Sequence, residues 1–109
     1  MNVLISEREN MATKDSVKER TGSKVKEPKR YNVIMWNDDF TTMEFVVSVL
    51  RDIFHKDVAT AEYLMLKVHN SGSAIVGQYS YDVATTKTRL AMDRARTEGF
   101  PFRMTVEEE

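Results

Sequence analysis

A small α+β domain is the fold class this sequence predicts: a mainly antiparallel three-stranded sheet packed against three helices, in the order β-α-α-β-α-β. Three observations carry that expectation. Short β-branched and aromatic runs alternate with stretches whose apolar residues recur at helical spacing. Each helical stretch opens on a Thr, Asp or Ser able to cap it. Glycine or proline stands near the joints between stretches. The length of 109 residues suits one domain with one modest core.

Taken in order, residues 31–36 (Tyr-Asn-Val-Ile-Met-Trp) read as a first strand, bounded by Pro28 and by the polar turn Asn37-Asp38-Asp39. Thr41 and Glu44 have capping-box spacing, and Phe40 and Phe45 hold the positions of a hydrophobic staple. Val46, Val49, Leu50 and Ile53 continue the first helix toward Phe54. Asp57 is positioned to cap a second helix running to about residue 69, with Ala61, Leu64, Met65 and Val68 as its apolar stripe. Gly72 ends it. Residues 74–79 read as a strand, although Gly77 interrupts the run. Ser80 and Asp82 open a third helix whose Ala84, Thr88, Ala91 and Ala95 form a narrow face suited to close packing on a sheet. Gly99 stops that helix, Pro101 prevents its resumption, and residues 102–106 form the last strand. The domain expected is therefore 31–106. It is flanked by a charged, disordered tail at 1–30, which has no aromatic residue or sustained apolar period, and by an acidic tip at 107–109.

Composition removes several functions. Sixteen basic against seventeen acidic residues give a net charge of −1, which argues against a dedicated nucleic-acid binder. With no cysteine, neither a disulfide framework nor a thiolate metal site is available, and a reducing cytoplasm fits. No apolar run approaches the roughly 18 residues of a membrane span. The opening residues lack the basic and apolar regions of a secretory signal. No nucleophile is paired with a base and no phosphate-binding glycine loop appears, so catalysis is not expected and no cofactor is implied.

The most informative feature is Asn37-Asp38-Asp39, set where the first strand stops and the first helix begins. Such residues often do no more than make a turn, through local hydrogen bonds. Two carboxylates and an amide on one short turn also make a cradle for a cation, and Met43 and Val46 follow closely enough to line an apolar hole beside it. A charge site next to an apolar socket points to recognition of a free amino terminus and its first side chain.

Four ordered blocks carry a family resemblance. The run from Tyr31 to Val47 (Tyr-Asn-Val-Ile-Met-Trp-Asn-Asp-Asp-Phe-Thr-Thr-Met-Glu-Phe-Val-Val) is the first, and Leu64-Met-Leu-Lys-Val-His69 the second. Gly72-x-Ala74-Ile-x-Gly77 and Asp82-Val-Ala-x-Thr-Lys87 follow. Together they resemble the ClpS adaptors across residues 28–106. That resemblance implies a fold like the C-terminal domain of the ribosomal stalk protein, and a non-enzymatic role in delivering N-degron substrates to a Clp AAA+ unfoldase (ClpA- or ClpC-type) with its ClpP peptidase.

Residue by residue, the resemblance makes Asn37 and Asp38 partners of the ligand's α-ammonium, with Asp39 reinforcing the negative potential and a neutral His69 accepting from the same group. Met43, Val46, Met65, Val68 and Phe102 match the side-chain pocket, Thr41 its rim, and Met43 its gate. The implied ligands are N-terminal Leu, Phe, Tyr and Trp, with branching at Cβ rejected. Asp82 and Lys87 match the contact with the unfoldase's N-terminal domain, and the tail would engage the unfoldase during hand-off. A bacterial cytoplasmic monomer, binding neither nucleic acid nor membrane, is the form implied. Two departures stand out. Thr42 occupies a place where the family usually has proline, read here as the first helical position. Trp36 is bulkier than expected behind the cradle.

Two rival functions follow from the same residues. Asp38, Asp39 and His69 contain metal-ligating groups, but His55 is the only other histidine and no ligand cluster accompanies them. A ribosome-associated module sharing the stalk-like fold is the second, since fold alone does not fix function. The near-neutral charge and absent aromatic-basic stripe count against it.

Overall fold

A computed structural model of the chain describes residues 28–109. The reading of residues 1–30 as a tail lies, for residues 1–27, outside that range. Six elements follow in the expected order: β1 (Tyr31–Trp36), α1 (Met43–Asp52), α2 (Val58–Ser71), β2 (Ser73–Tyr79), α3 (Tyr81–Thr97) and β3 (Arg103–Glu108). The strands form one antiparallel sheet with β1 at its centre, in the order β2-β1-β3.

The period of two in β1 sorts its side chains cleanly. Val33 and Met35 are fully buried, while Ile34 and Trp36 face the other way and are half-buried. Helix α3 packs on all three strands, and its Ala84, Ala91 and Ala95 are buried, so the small-residue face brings helix and sheet backbones close. Thr88 on that face is also buried. Phe45, Val49 and Leu50 of α1 and Ala61, Leu64 and Val68 of α2 complete the core. Phe45 makes edge contacts with Phe100 at 5.1 Å and Phe102 at 5.6 Å between ring centres.

Two glycines answer to backbone demands. Gly72 caps α2 at φ 92°, a left-handed conformation that a side chain would strain. Gly77 lies beside a β-bulge: Val33 faces Gly77 and Ile34 faces Ile75, which leaves Val76 as the extra residue. A Cβ on Gly77 would come within 2.7 Å of the Tyr79 hydroxyl oxygen.

The ends of the elements shift from expectation in two places. The N-cap of α1 is Thr42, whose Oγ1 accepts from the Phe45 amide at 3.2 Å; Thr41 is not the cap. The capping box and the Phe40–Phe45 staple therefore do not form, and Phe40 stands 75 % exposed. β3 begins at Arg103 and continues through Glu107 and Glu108, which pair with Asn32 and Tyr31. Pairing with the central strand overrides their poor strand propensity. The sheet also holds the residues before it: Arg30 donates to the Gln78 carbonyl at 2.9 Å and accepts from the Glu109 amide at 2.9 Å. No helix among the described residues is long and apolar enough to cross a membrane.

Candidate functional site

The turn between β1 and α1 is built around one carboxylate. Asp38 Oδ1 accepts from the amides of Phe40 at 2.8 Å and Thr41 at 2.7 Å, and Oδ2 accepts from the Thr41 hydroxyl at 2.7 Å. Partial burial acts to raise the Asp38 pKa. The Thr41 amide and hydroxyl and the Phe40 amide outweigh it and hold the group below its ordinary value. Asp38 is therefore a fixed negative charge that also closes the turn. A carboxylate offers about four acceptor positions, so three donors leave room for another.

One backbone bond places this turn against α2. The Asn37 amide donates to the Gly72 carbonyl at 2.9 Å, so the end of β1 is held beside the end of α2, one turn from His69. The C-terminal end of α2 carries partial negative charge, which adds to the potential of the carboxylates.

Between the turn, α1 and α2 lies a cavity of about 540 Å³. Asn37, Asp38, Asp39 and His69 supply polar lining, and Met43, Val46, Met65 and Val68 supply the apolar walls, with Thr41 at the turn. Val68 is buried, Val46 and Met65 are half-buried, and Met43 is 46 % exposed at the start of α1. Three acidic residues, Asp38, Asp39 and Glu44, line the cavity, and no lysine or arginine does.

Phe102 is placed differently. It lies in the core against Phe45, beneath the site, and is not part of the lining. Asp82 and Lys87 lie on α3, away from the cavity. Asp82 is exposed in the first turn. The Lys87 ammonium is turned inward: it donates to the Ile53 carbonyl at 2.7 Å and sits 5.8 Å and 5.9 Å from the centres of the Phe54 and Tyr79 rings.

Four lining residues were not in the sequence-derived set: Trp36, Phe40, Thr42 and Glu44. Trp36 is anchored behind the turn by its Nε1–H, which donates to Thr105 Oγ1 at 2.8 Å, and by the Arg103 guanidinium stacked 4.8 Å from its ring. An indole stem with a partnered N–H explains how so bulky a residue fits there. The signal for Phe40 was its place between the acidic turn and the helix, obscured by reading it as a staple. Among the described residues, no three His, Cys, Asp or Glu side chains converge as metal ligands would.

An open cavity lined by both fixed hydrogen-bond acceptors and apolar side chains defines a binding domain for a small cationic, partly apolar group. The family model for the ATP-dependent Clp protease adaptor protein ClpS matches residues 26–105. The chain belongs to the ClpS family, whose members are adaptors and not enzymes. It is 44 % identical over 99 residues to the ATP-dependent Clp protease adapter protein ClpS of Acetivibrio thermocellus, covering 91 % of this chain and all of the relative. The ClpS of Campylobacter jejuni is 45 % identical over 87 residues, covering 80 % of this chain and 91 % of the relative. Among solved structures, Agrobacterium tumefaciens ClpS2 bound to L-phenylalaninamide is similar, with a TM-score of 0.74 and 40 % identity, over 76 % of this chain and all of that one.

Proposed function

We propose that this adaptor captures polypeptides beginning with Leu, Phe, Tyr or Trp by their free amino terminus and first side chain, and presents them to a Clp AAA+ unfoldase with its ClpP peptidase. The observation that carries the reading is that carboxylates and apolar side chains line one and the same cavity. Support also comes from the ligand of the similar ClpS2 structure. L-phenylalaninamide presents an α-ammonium, an aromatic side chain and an amide, the same groups as a chain-initial Phe.

In this reading the α-ammonium sits between Asn37, Asp38 and His69, and Asp39 strengthens the local field. The side chain enters between Met43, Val46, Met65 and Val68, while Phe102 supports the pocket from beneath. The unbranched Met43 thioether closes over Leu or an aromatic ring. The exposed start of α3 at Asp82 offers the surface for the unfoldase's N-terminal domain. Lys87 keeps ammonium donors beyond its Ile53 bond for the same contact. The protein acts as a monomer in the bacterial cytoplasm, and residues 31–106 are the unit that binds.

The energetics suit a capture-and-release adaptor. Burying a Leu or Phe side chain contributes roughly 1.5–3 kcal/mol, and each charge-assisted hydrogen bond about 1.5–3 kcal/mol. After the costs of association, a micromolar-class complex near 8 kcal/mol follows. Neither half suffices alone. A fluorescence titration with peptides differing only in their first residue tests the reading. Leu, Phe, Tyr and Trp peptides should bind, Ile and Val peptides and an N-acetylated Phe peptide should bind far more weakly, and affinity should fall above about pH 8 as the α-amine deprotonates. Equal binding of the acetylated peptide, or a flat profile from about pH 7 to 10, overturns it.

A further inference from the structure

The chain contains no cysteine and seven methionines, so thioethers are its only sulfur groups. Among the described residues they differ sharply in access to solvent. Met35 is fully buried and Met104 is 2 % exposed, whereas Met65 and Met92 are half-buried. Met43 alone is substantially open, at 46 %. It is also reachable from two sides. Besides the cavity already described, Met43 and Met65 line a second hollow of about 550 Å³ between α1 and α2, with Val47, Arg51 and Glu62 among its walls. Met43, Glu44 and Met65 are thus common to the walls of both hollows.

We propose that Met43 is an oxidation-sensitive modification site, whose conversion to the sulfoxide by a peroxide switches off capture of the first side chain. This rests on the amino-terminal reading above. The chemistry balances without a cofactor. A sulfur lone pair attacks one peroxide oxygen, the O–O bond breaks, and the departing hydroxide takes the proton from the oxygen now bound to sulfur and leaves as water. Sulfur gains one oxygen and loses two electrons; the peroxide is reduced. A methionine sulfoxide reductase reverses the change.

The consequence follows from what surrounds the sulfur. The sulfoxide oxygen is a strong acceptor on a stiffer, chiral group. Of the residues lining the cavity, Val46 and Val68 donate nothing and Asp38, Asp39 and Glu44 carry repelling carboxylates; the side-chain donors are Asn37, Thr41, Thr42 and His69 there, and Ser48 and Arg51 in the second hollow. Closing over an apolar side chain would strip water from that oxygen, and turning to one of those donors would draw it away from the apolar walls or onto the partners of the ammonium. Solvent access favours the modification, and loss of function follows from the walls.

The test uses the full chain and hydrogen peroxide. Peptide mapping should show Met43 oxidised ahead of Met35 and Met104. Affinity for a Phe-initiated peptide should fall at least about tenfold and recover after treatment with a methionine sulfoxide reductase. Met43→Leu is run beside it, each protein compared with its own untreated sample, and its affinity should not change on peroxide treatment. Affinity unchanged with Met43 fully oxidised overturns the proposal, as does a Met43→Leu loss equal to that of the parent. The untreated titration tests the amino-terminal reading by itself, so failure there is distinct from failure here.

Discussion

Helix α1 meets its surroundings in opposite ways at its two ends. At the C-terminal end, cations from α3 seal it: Lys87 donates to the Ile53 carbonyl, and Arg94 pairs with Asp52 at 3.0 Å. The chain then turns back through His55 at φ 57°, with the Lys56 amide bonded to the Leu50 carbonyl. At the N-terminal end, the residues lining the cavity include Asp38, Asp39 and Glu44, and among the described residues no cation pairs with them. A helix has a positive N-terminus and a negative C-terminus. Both ends are electrostatically satisfied, one by the fold's own lysine and arginine, the other by an excess of carboxylates. That excess is what a visiting ammonium can use. Packing closes one end and leaves the other available to a ligand.

The largest effect should come from Asp38→Ala, because Asp38 serves both turn and ligand. Losing its three hydrogen bonds should cost about 2 kcal/mol of stability, and peptide binding should fall at least about 100-fold. The acid limb sharpens this. The Asp38 pKa is lowered in the folded state, so its contribution is complete above the unfolded value of about 3.9. It is lost as pH falls through the folded value below that. Urea denaturation at a series of pH values should therefore show the parent and Asp38→Asn converging as pH drops below about 4. A stability gap that stays constant to the lowest pH would mean the carboxylate is not what closes the turn.

Lys87→Met asks whether the sealed end is independent of the open one. The substitution keeps the aliphatic stem but leaves the Ile53 carbonyl without its donor. It should destabilise by about 1.5–3 kcal/mol in chemical denaturation, while affinity for a Phe-initiated peptide stays within about twofold. A binding loss as large as that of Asp38→Ala would show that the two ends are coupled through α1. His55→Gly probes the same end with the opposite sign. A non-glycine residue in the left-handed region carries strain, so glycine there should gain about 0.5–1 kcal/mol with no change in binding.

These regions also differ in how far sequence revealed them. Asp57, Ser80 and Gly72 were legible as caps and breaker from their residue type at the junctions, and the structure uses each accordingly. The alanine face of α3 was legible because burial follows period. The cap of α1 was not. Thr41 and Thr42 offer identical chemistry one residue apart, and the choice is made by Asp38, which engages Thr41 and leaves Thr42 to cap. The bond from Lys87 to Ile53 was not legible, because no sequence pattern links a lysine to a carbonyl 34 positions away. Strand pairing extended β3 into Glu107 and Glu108 for a similar reason: their partners on β1 are distant in sequence. Local signals were readable, and choices settled by a remote partner were not.

The smallest expected effect is also the most discriminating, and it concerns the open end. Thr42 is the position at which the family resemblance leads one to expect proline, and the structure makes it the N-cap of α1 rather than the first helical residue. Its φ of −74° and ψ of 153° already suit a proline ring. Thr42→Pro would remove the hydroxyl that accepts from the Phe45 amide, a loss of about 1 kcal/mol. It would also restrict the unfolded chain, a gain of about 0.4–1 kcal/mol. These terms oppose each other at similar size, so the net change in stability should lie within about 0.5 kcal/mol of zero. Binding should tighten slightly if the turn beside Met43 becomes stiffer, because less ordering remains to be done when the ligand enters. Paired urea curves and titrations of Thr42→Pro and Thr42→Ala separate the terms. Alanine loses the cap without the restriction, and should be the less stable of the two by about 0.4–1 kcal/mol. Equal stability of the two variants would mean that proline's restriction contributes nothing here, and that the open end of α1 depends on the Thr42 hydroxyl alone.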